Sequence, residues 1–417
     1  MTSLGSLPDA LRLTPDMLHP AFWLQNALDA TQVADVAAIN HEIAQSGRIV
    51  DLGCMLADFE DPLKWIEPSP PIHSGYFHDG RRLDALTQEQ IAMNCQVRPV
   101  DEKFGFSVHR SPMGSWPTEH RIFGQRQDLE FDQVQQTALH TFEPVLILGE
   151  SQDGQWYVVQ SCTYQGWIRK TDVAWCDAAT FERYRRVSDP LVVVGRGVYV
   201  EPNPYGSDTF PRELEFGAWL ARSSADSEYL GRQAPLWHYS VDIPTRKSDG
   251  ELAVESRLVS RSSPVSEGFL PAHRASILNS AFALLGDRYG WGDSFNRHDC
   301  SSFIMDVYRT VGIQLPRNSR SQSHAVAKRV SLGENWALSL RSAKIGDELY
   351  MPGHVLLYLG EYHGSHYAIH AFVGYLQTPG ASAVIANQVM VTPLELYLRS
   401  GEKRYGEALE SVHGILP

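Results

Sequence analysis

The chain predicts a multidomain protein with a partly helical N-terminal domain, two small β-barrels and a C-terminal α+β domain. Three observations support this. Its 417 residues exceed one ordinary core. Near residue 126 helical spacing gives way to short strands separated by turn residues. Past residue 263 the pattern turns to helices followed by strands, the order of an α+β domain. The boundaries drawn from these changes are 1–125, 126–180, 186–260 and 263–417.

In the first domain Thr14-Pro15-Asp16 places a cap and a first-turn proline before Met17 and Leu18. Val33, Val36, Ala37, Ile39 and Ile43 recur at helical spacing between Asp29 and Ser46, and Gly47 closes that helix. Pro68-Ser69-Pro70-Pro71 begins a loop. The first barrel is read from Pro144 to Leu148, Gln155 to Val159 and Tyr164 to Ile168, with Asp153-Gly154 as a turn. The second is read from Leu191 to Val194, Val198 to Val200, Gly217 to Leu220 and Leu236 to Tyr239. Ser260 to Pro264 reads as a linker. In the last domain Ile277, Leu278, Ala281, Phe282 and Leu285 make an amphipathic helix ended by Gly286. Cys300 opens a second helix to about Val311, with Phe303, Ile304, Val307 and Tyr308 on one face. Strands are expected at 348–350, 355–359, 367–372 and 388–391.

The composition is globular, with 43% hydrophobic and 20% charged residues and a net charge of −13. Such an acidic chain is a poor partner for nucleic acid. No run of eighteen apolar residues marks a transmembrane helix. The first residues lack the basic and apolar regions of a signal peptide. A periplasmic or cell-envelope location is therefore expected if a leader was removed, and a cytoplasmic one otherwise. Five cysteines at spacings that match no zinc or redox motif leave Cys54, Cys95, Cys162 and Cys176 as small buried apolar groups. His354, His363, His366 and His370 lack the spacing and the acidic partner of a metal site, so no metal is expected.

Cys300 is different. It follows the glycine-rich loop Tyr289-Gly290-Trp291-Gly292-Asp293, and Asp299 stands before it as an N-cap. The first helical turn offers partial positive charge and unpaired N–H groups that favour a thiolate, while Asp299 opposes that unless its charge is engaged elsewhere. His354 opens an apolar strand and His370 ends the next apolar run. A helix-start cysteine, a rigid strand histidine and a second polar group to fix its tautomer are the parts of a thiol hydrolase.

These residues also carry a resemblance. Leu284 to Gly292, Asp299-Cys300-Ser301-Ser302, Leu315 to Gln322, Gly346-Asp347 and Gly353-His354-Val355 resemble the NlpC/p60 family of bacterial cell-wall cysteine peptidases. Asp153 to Val158, Tyr164 to Ile168 and Gly268 to Pro271 resemble its multidomain branch, which has an N-terminal stabilising domain and two bacterial SH3-type barrels. The resemblance implies a papain-like fold. It implies cleavage of the bond between γ-D-glutamate and a diamino acid, such as meso-diaminopimelate, in murein stem peptides, with no cofactor. A monomer is expected. It implies Cys300 as nucleophile, His354 as general base, His370 as orienter and Tyr289 as an oxyanion or substrate contact. Asp299 and Ser301 resemble residues that hold the L-Ala-γ-D-Glu part, and Trp291 is grouped with them. Asn318 and Ser319 occupy a loop facing the glutamate carboxylate, where the family often carries Asp in place of Asn318. Tyr164 matches a tyrosine that binds a free L-alanine amine in some relatives, but no acidic partner stands at a matching position. Arg317 reads as a surface or structural ion-pair residue. Two other readings stay open: a non-catalytic murein-binding protein that uses its barrels, and a thiol acyltransferase on the same fold.

Overall fold

The computed structural model describes residues 9–25, 27, 30–56, 59, 61–73, 75–206, 210–223, 232–326 and 328–417. They fall into two compact units, one made of 1–49, 269–290 and 297–417, the other of 50–268 and 291–296.

The second unit holds an antiparallel seven-stranded sheet. Its order is Gln135–Leu139, Ser111–Gly114, Gln165–Arg169, Trp156–Gln160, Pro144–Glu150, Phe104–Ser107 and Val173–Cys176. The strands expected near 144–148, 155–159 and 164–168 are all present. Val145, Ile147, Val159, Ile168 and Val173 form a fully buried cluster between them. Phe104–Ser107 and Ser111–Gly114 were not foreseen. They are short and carry Gly105, Pro112 and Gly114, so they show little period-two signal.

Further along, Pro190–Val193 pairs with Trp219–Ala221 on one side and with Val265–Glu267 on the other. His238–Arg246 and Leu252–Ser260 form a long hairpin. The strand expected at 236–239 begins only at His238, because Pro235–Trp237 is a 3-10 turn. The stretch 260–264, expected to be a linker, is a turn: the Ser263 N–H donates to the Ser260 carbonyl before the chain re-enters the sheet. The cysteine expectation needs correcting too. Cys176 is buried in a strand, whereas Cys95 and Cys162 are half-buried. Cys162 lies in the turn between two strands with its Sγ 3.8 Å from Glu143 Oε1. The side chain of Cys54 and the residue Asp29 lie outside the described residues.

The first unit opens with the 3-10 turn Pro15–Leu18 and the helix Val36–Gln45. The helix begins later than expected because the Asp35 side chain accepts the Ala38 N–H and fixes its start. Arg274–Ala283 and Cys300–Arg309 are the main helices of the C-terminal part. The antiparallel six-stranded sheet runs Arg329–Ser331, Ser411–His413, Glu348–Met351, His354–Tyr362, Ser365–Tyr375 and Val384–Pro393. The two strands at one side of the sheet, 329–331 and 411–413, are three residues long and too short to show a period. The Cys300 helix packs on His354–Tyr362 and Ser365–Tyr375. Among the described residues no helix is long and apolar enough to cross a membrane.

The loop 291–296 belongs to the second unit for a visible reason. Gln135 Nε2 donates to the Gly292 carbonyl at 2.9 Å, and Asp293 Oδ2 accepts from Thr137 Oγ1 and Ala138 N, each at 3.1 Å. A Cβ on Gly292 would lie 2.3 Å from the Gln135 carbonyl oxygen, and its φ of +58° is already left-handed. Gly292→Ala is therefore expected to destabilise this unit by about 1–3 kcal/mol, the usual range for forced backbone strain. Urea titration checks it, and an unchanged midpoint would show that the loop yields freely.

Candidate active site

The Cys300 helix starts where it does because of Asp299. The Asp299 carboxylate accepts the N–H groups of Ser301 at 3.0 Å and Ser302 at 2.9 Å, while its own N–H donates to Ser302 Oγ at 3.0 Å. This is a reciprocal cap on the first turn. Phe303, Ile304, Val307 and Tyr308 then bury one face completely, as their spacing predicts.

Asp299 is itself 6% exposed. Burial works to raise its carboxyl, but the Arg317 guanidinium and the hydrogen bonds from Ser302 and Ser301 outweigh that and hold it below the usual carboxylate range. Arg317, 1% exposed, donates from Nη2 to Oδ2 at 2.7 Å and from Nη1 to Oδ1 at 3.2 Å, and also to Ser301 Oγ at 3.0 Å. Arg317, expected as a surface or structural ion-pair residue and not a substrate contact, forms a buried ion pair. Gln322, absent from the expected site residues, is fully buried and donates to the carbonyls of Ser301 and Pro316, each at 2.9 Å. Asn318 is exposed and caps the short helix Ser319–Ala325 without a side-chain hydrogen bond; Ser319 is half-buried.

Cys300 is 8% exposed, and the N–H of Val355, the residue after His354 in the chain, lies close enough to favour its thiolate. Burial, helped by the Asp299 charge, pushes the thiol up to about 12 despite the N–H groups of Val355 and Ser301. The helix end alone was expected to favour the thiolate; desolvation is the larger effect here. Tyr350 lies near enough to feel the Cys300 charge, and its hydroxyl donates to the fully buried Glu348, a carboxyl that burial raises to about 8.

The sheet register builds the rest. Leu357 faces Ile369 and Ala368 faces Thr392 across neighbouring strands, so counting in twos puts His354, His370 and Thr392 on one face. His354 Nε2 and His370 Nδ1 share a hydrogen bond of 2.7 Å, and His370 Nε2 and Thr392 Oγ1 share one of 2.8 Å. His370 lies within the strand Ser365–Tyr375, not at the end of a run as expected. Phe372 stacks on its ring at 4.2 Å, and Tyr405 stands edge-on at 5.5 Å. Burial brings His354 down to about 4 and His370 well below the usual imidazole value, so both are neutral near pH 7. Tyr289 is buried, and its main chain bridges to His298, two residues before the cysteine. Tyr164 and Trp291 belong to the other unit. There Tyr164 is half-buried at the edge of the barrel cluster, and Trp291 stands edge-on to Phe131 at 5.2 Å.

A thiol, two imidazoles and a hydroxyl gathered in one domain are the parts a thiol hydrolase needs. Residues 286–379 match the NlpC/P60 family model, and residues 121–169 match an SH3 domain of the SH3b1 type. The chain thus carries an SH3b and an NlpC/P60 domain in a multidomain NlpC/P60 fold. It is similar over 95% of its length, and 96% of the other chain, to an NlpC/P60 endopeptidase from Photobacterium damselae subsp. piscicida, with a TM-score of 0.71 and 15% identity. NlpC2 from Trichomonas vaginalis matches 76% of this chain and 98% of its own, with a TM-score of 0.30 and 13% identity. The peptidoglycan hydrolase RipB from Mycobacterium tuberculosis matches 34% and 65%, with a TM-score of 0.24 and 21% identity. No curated protein matches the chain.

The buried ion pair and the titrating groups make two predictions. Arg317→Met strands the Asp299 carboxylate in the interior and should cost about 3–5 kcal/mol in urea unfolding. The double variant with Asp299→Asn should cost less than the sum of the single changes; simple additivity would show that the two groups do not act as a pair. The second concerns pH. His354, His370 and His413 have lowered folded-state values, so their contribution is full above about 6.5, the ordinary imidazole value, and is lost on acidification as the unfolded chain takes up protons. Glu348 keeps its proton up to about 8 in the folded state, whereas the unfolded chain releases it near 4.5. That contribution falls as pH rises between these values. Stability should therefore peak near the ordinary imidazole value, and Glu348→Gln should flatten the loss from there to pH 8. An unchanged alkaline limb in that variant would exclude Glu348 as its source.

Proposed function

We propose that this protein is a cysteine peptidase that hydrolyses the γ-D-glutamyl–diamino acid bond, of the meso-diaminopimelate type, in murein stem peptides. The observation that supports this most is the alignment of Cys300 beside the His354 strand with the His354–His370 hydrogen bond, all inside the segment matched by the NlpC/P60 family model.

In this reading the neutral thiol gives its proton to His354 as the sulfur attacks the γ-glutamyl carbonyl, so no resting thiolate is required. The Cys300 N–H at the helix start and a second donor, Tyr289, hold the oxyanion; one such donor is typically worth about 10²–10³ in rate. His354 then protonates the departing amine and activates the water that releases the acyl group. Asp299 and Ser301, tied to Arg317, form the floor on which the L-Ala-γ-D-Glu part rests, and Asn318 and Ser319 face the glutamate carboxylate.

Mass spectrometry of products from L-Ala-γ-D-Glu-diaminopimelate and from a muramyl-linked peptide tests the bond and the substrate form together. Cys300→Ala is expected to abolish turnover of both while leaving the thermal midpoint nearly unchanged. Turnover that survives in this variant removes the nucleophile assignment. Release of an amine-capped product in the presence of added amine would favour the acyltransferase. Binding to murein without turnover by the intact protein would favour the non-catalytic reading.

A further inference from the structure

Resting on the reading above, we propose that Thr392 is a positioning residue: its hydroxyl accepts the His370 Nε2–H and so sets the tautomer of both histidines for base catalysis. His370 is 0% exposed, and each of its ring nitrogens has one polar partner, His354 Nε2 at 2.7 Å and Thr392 Oγ1 at 2.8 Å. A neutral imidazole carries one N–H, so one of these bonds is donated and the other accepted. Only two arrangements satisfy both contacts.

In the first, His370 donates from Nε2 to Thr392 Oγ1. Its Nδ1 then accepts the Nε2–H of His354, which leaves His354 Nδ1 bare and able to take a proton from a thiol. In the second, Thr392 donates to His370 Nε2, His370 donates from Nδ1, and His354 must carry its proton on Nδ1, where it cannot serve as the base. A hydroxyl can donate or accept; the acceptor role assigned to Thr392 is the one that puts the basic nitrogen at the His354 end of the row. When His354 Nδ1 takes the thiol proton, the imidazolium keeps its Nε2–H bond to the His370 Nδ1 lone pair, and no other proton has to move. The Phe372 and Tyr405 rings around His370 leave little room for a water to replace the hydroxyl. Thr392 is itself fully buried and sits in the strand Val384–Pro393, whose register with Ala368 holds it opposite the row.

The test uses the intact protein. Nitrogen-15 spectra of the histidine rings near pH 7 are expected to show His354 and His370 both protonated at Nε2. A ring protonated at Nδ1 in His370 overturns the proposal, whatever the substrate proves to be. Thr392→Val keeps the size and removes the hydroxyl. It is expected to mix the His370 tautomers and to lower kcat about tenfold or more while KM changes less than about twofold, since a base in the wrong tautomer can cost up to about 10⁴. Thr392→Ser should restore both the spectrum and kcat. Wild-type kcat in the valine variant, or a serine variant as impaired as valine, overturns the role. A protein with the expected spectrum that cleaves no murein peptide leaves the tautomer assignment standing and removes only the reading of its substrate.

Discussion

The Asp299–Arg317 ion pair is the constraint on which the candidate site depends. A carboxylate is the cap that starts the Cys300 helix, yet a bare negative charge beside a thiol would oppose every step that makes sulfur nucleophilic. Burying Arg317 against it offsets part of that effect. The guanidinium balances the charge, its fork geometry fits both carboxylate oxygens, and its remaining reach ties in Ser301. One pair thus sets where the helix begins, how the first turn is held and how much negative field the sulfur meets. Gln322 extends the same support by donating to the carbonyls of Ser301 and Pro316.

Opposite the helix, the sheet meets a different demand. Imidazoles buried among aromatic rings lose their hydration and become poor proton acceptors. The row His354–His370–Thr392 compensates by giving each ring nitrogen of His370 a partner, so that none is stranded. The row can exist because strand residues two apart share a face and because antiparallel pairing places neighbours side by side. The outcome is a buried arrangement in which the thiol and both imidazoles are neutral near pH 7.

The second unit shows how a barrel can recruit chain from outside its own sequence neighbourhood. The loop 291–296 lies between segments of the other unit, yet its main-chain and carboxylate bonds go to the strand Gln135–Leu139. Left-handed Gly292, Asp293, Phe295 and Asn296 give the loop the sharp turns this requires. Seven strands contribute to one sheet, and two of them come from the region that helical spacing had assigned to the N-terminal domain.

By itself the sequence determined the class of architecture, the first-barrel strands and the Cys300 helix, and it marked Cys300, His354 and His370 as candidates. Each rests on a signal local in the chain: a period of two or of 3.6, a cap before an apolar stripe, a glycine-bearing turn. Tertiary structure alone decided the rest. Arg317 and Gln322 read as ordinary polar residues until the fold buries them against Asp299 and Ser301. Thr392 carries no local mark, because its role comes from strand register and not from its neighbours in the chain. The thiol looked activated from its place at a helix start, but its depth below the surface is a property of packing, and desolvation outweighs the helix end. Periodicity and capping are written within a few residues, whereas burial, charge balance and cross-strand contact exist only once distant segments have met.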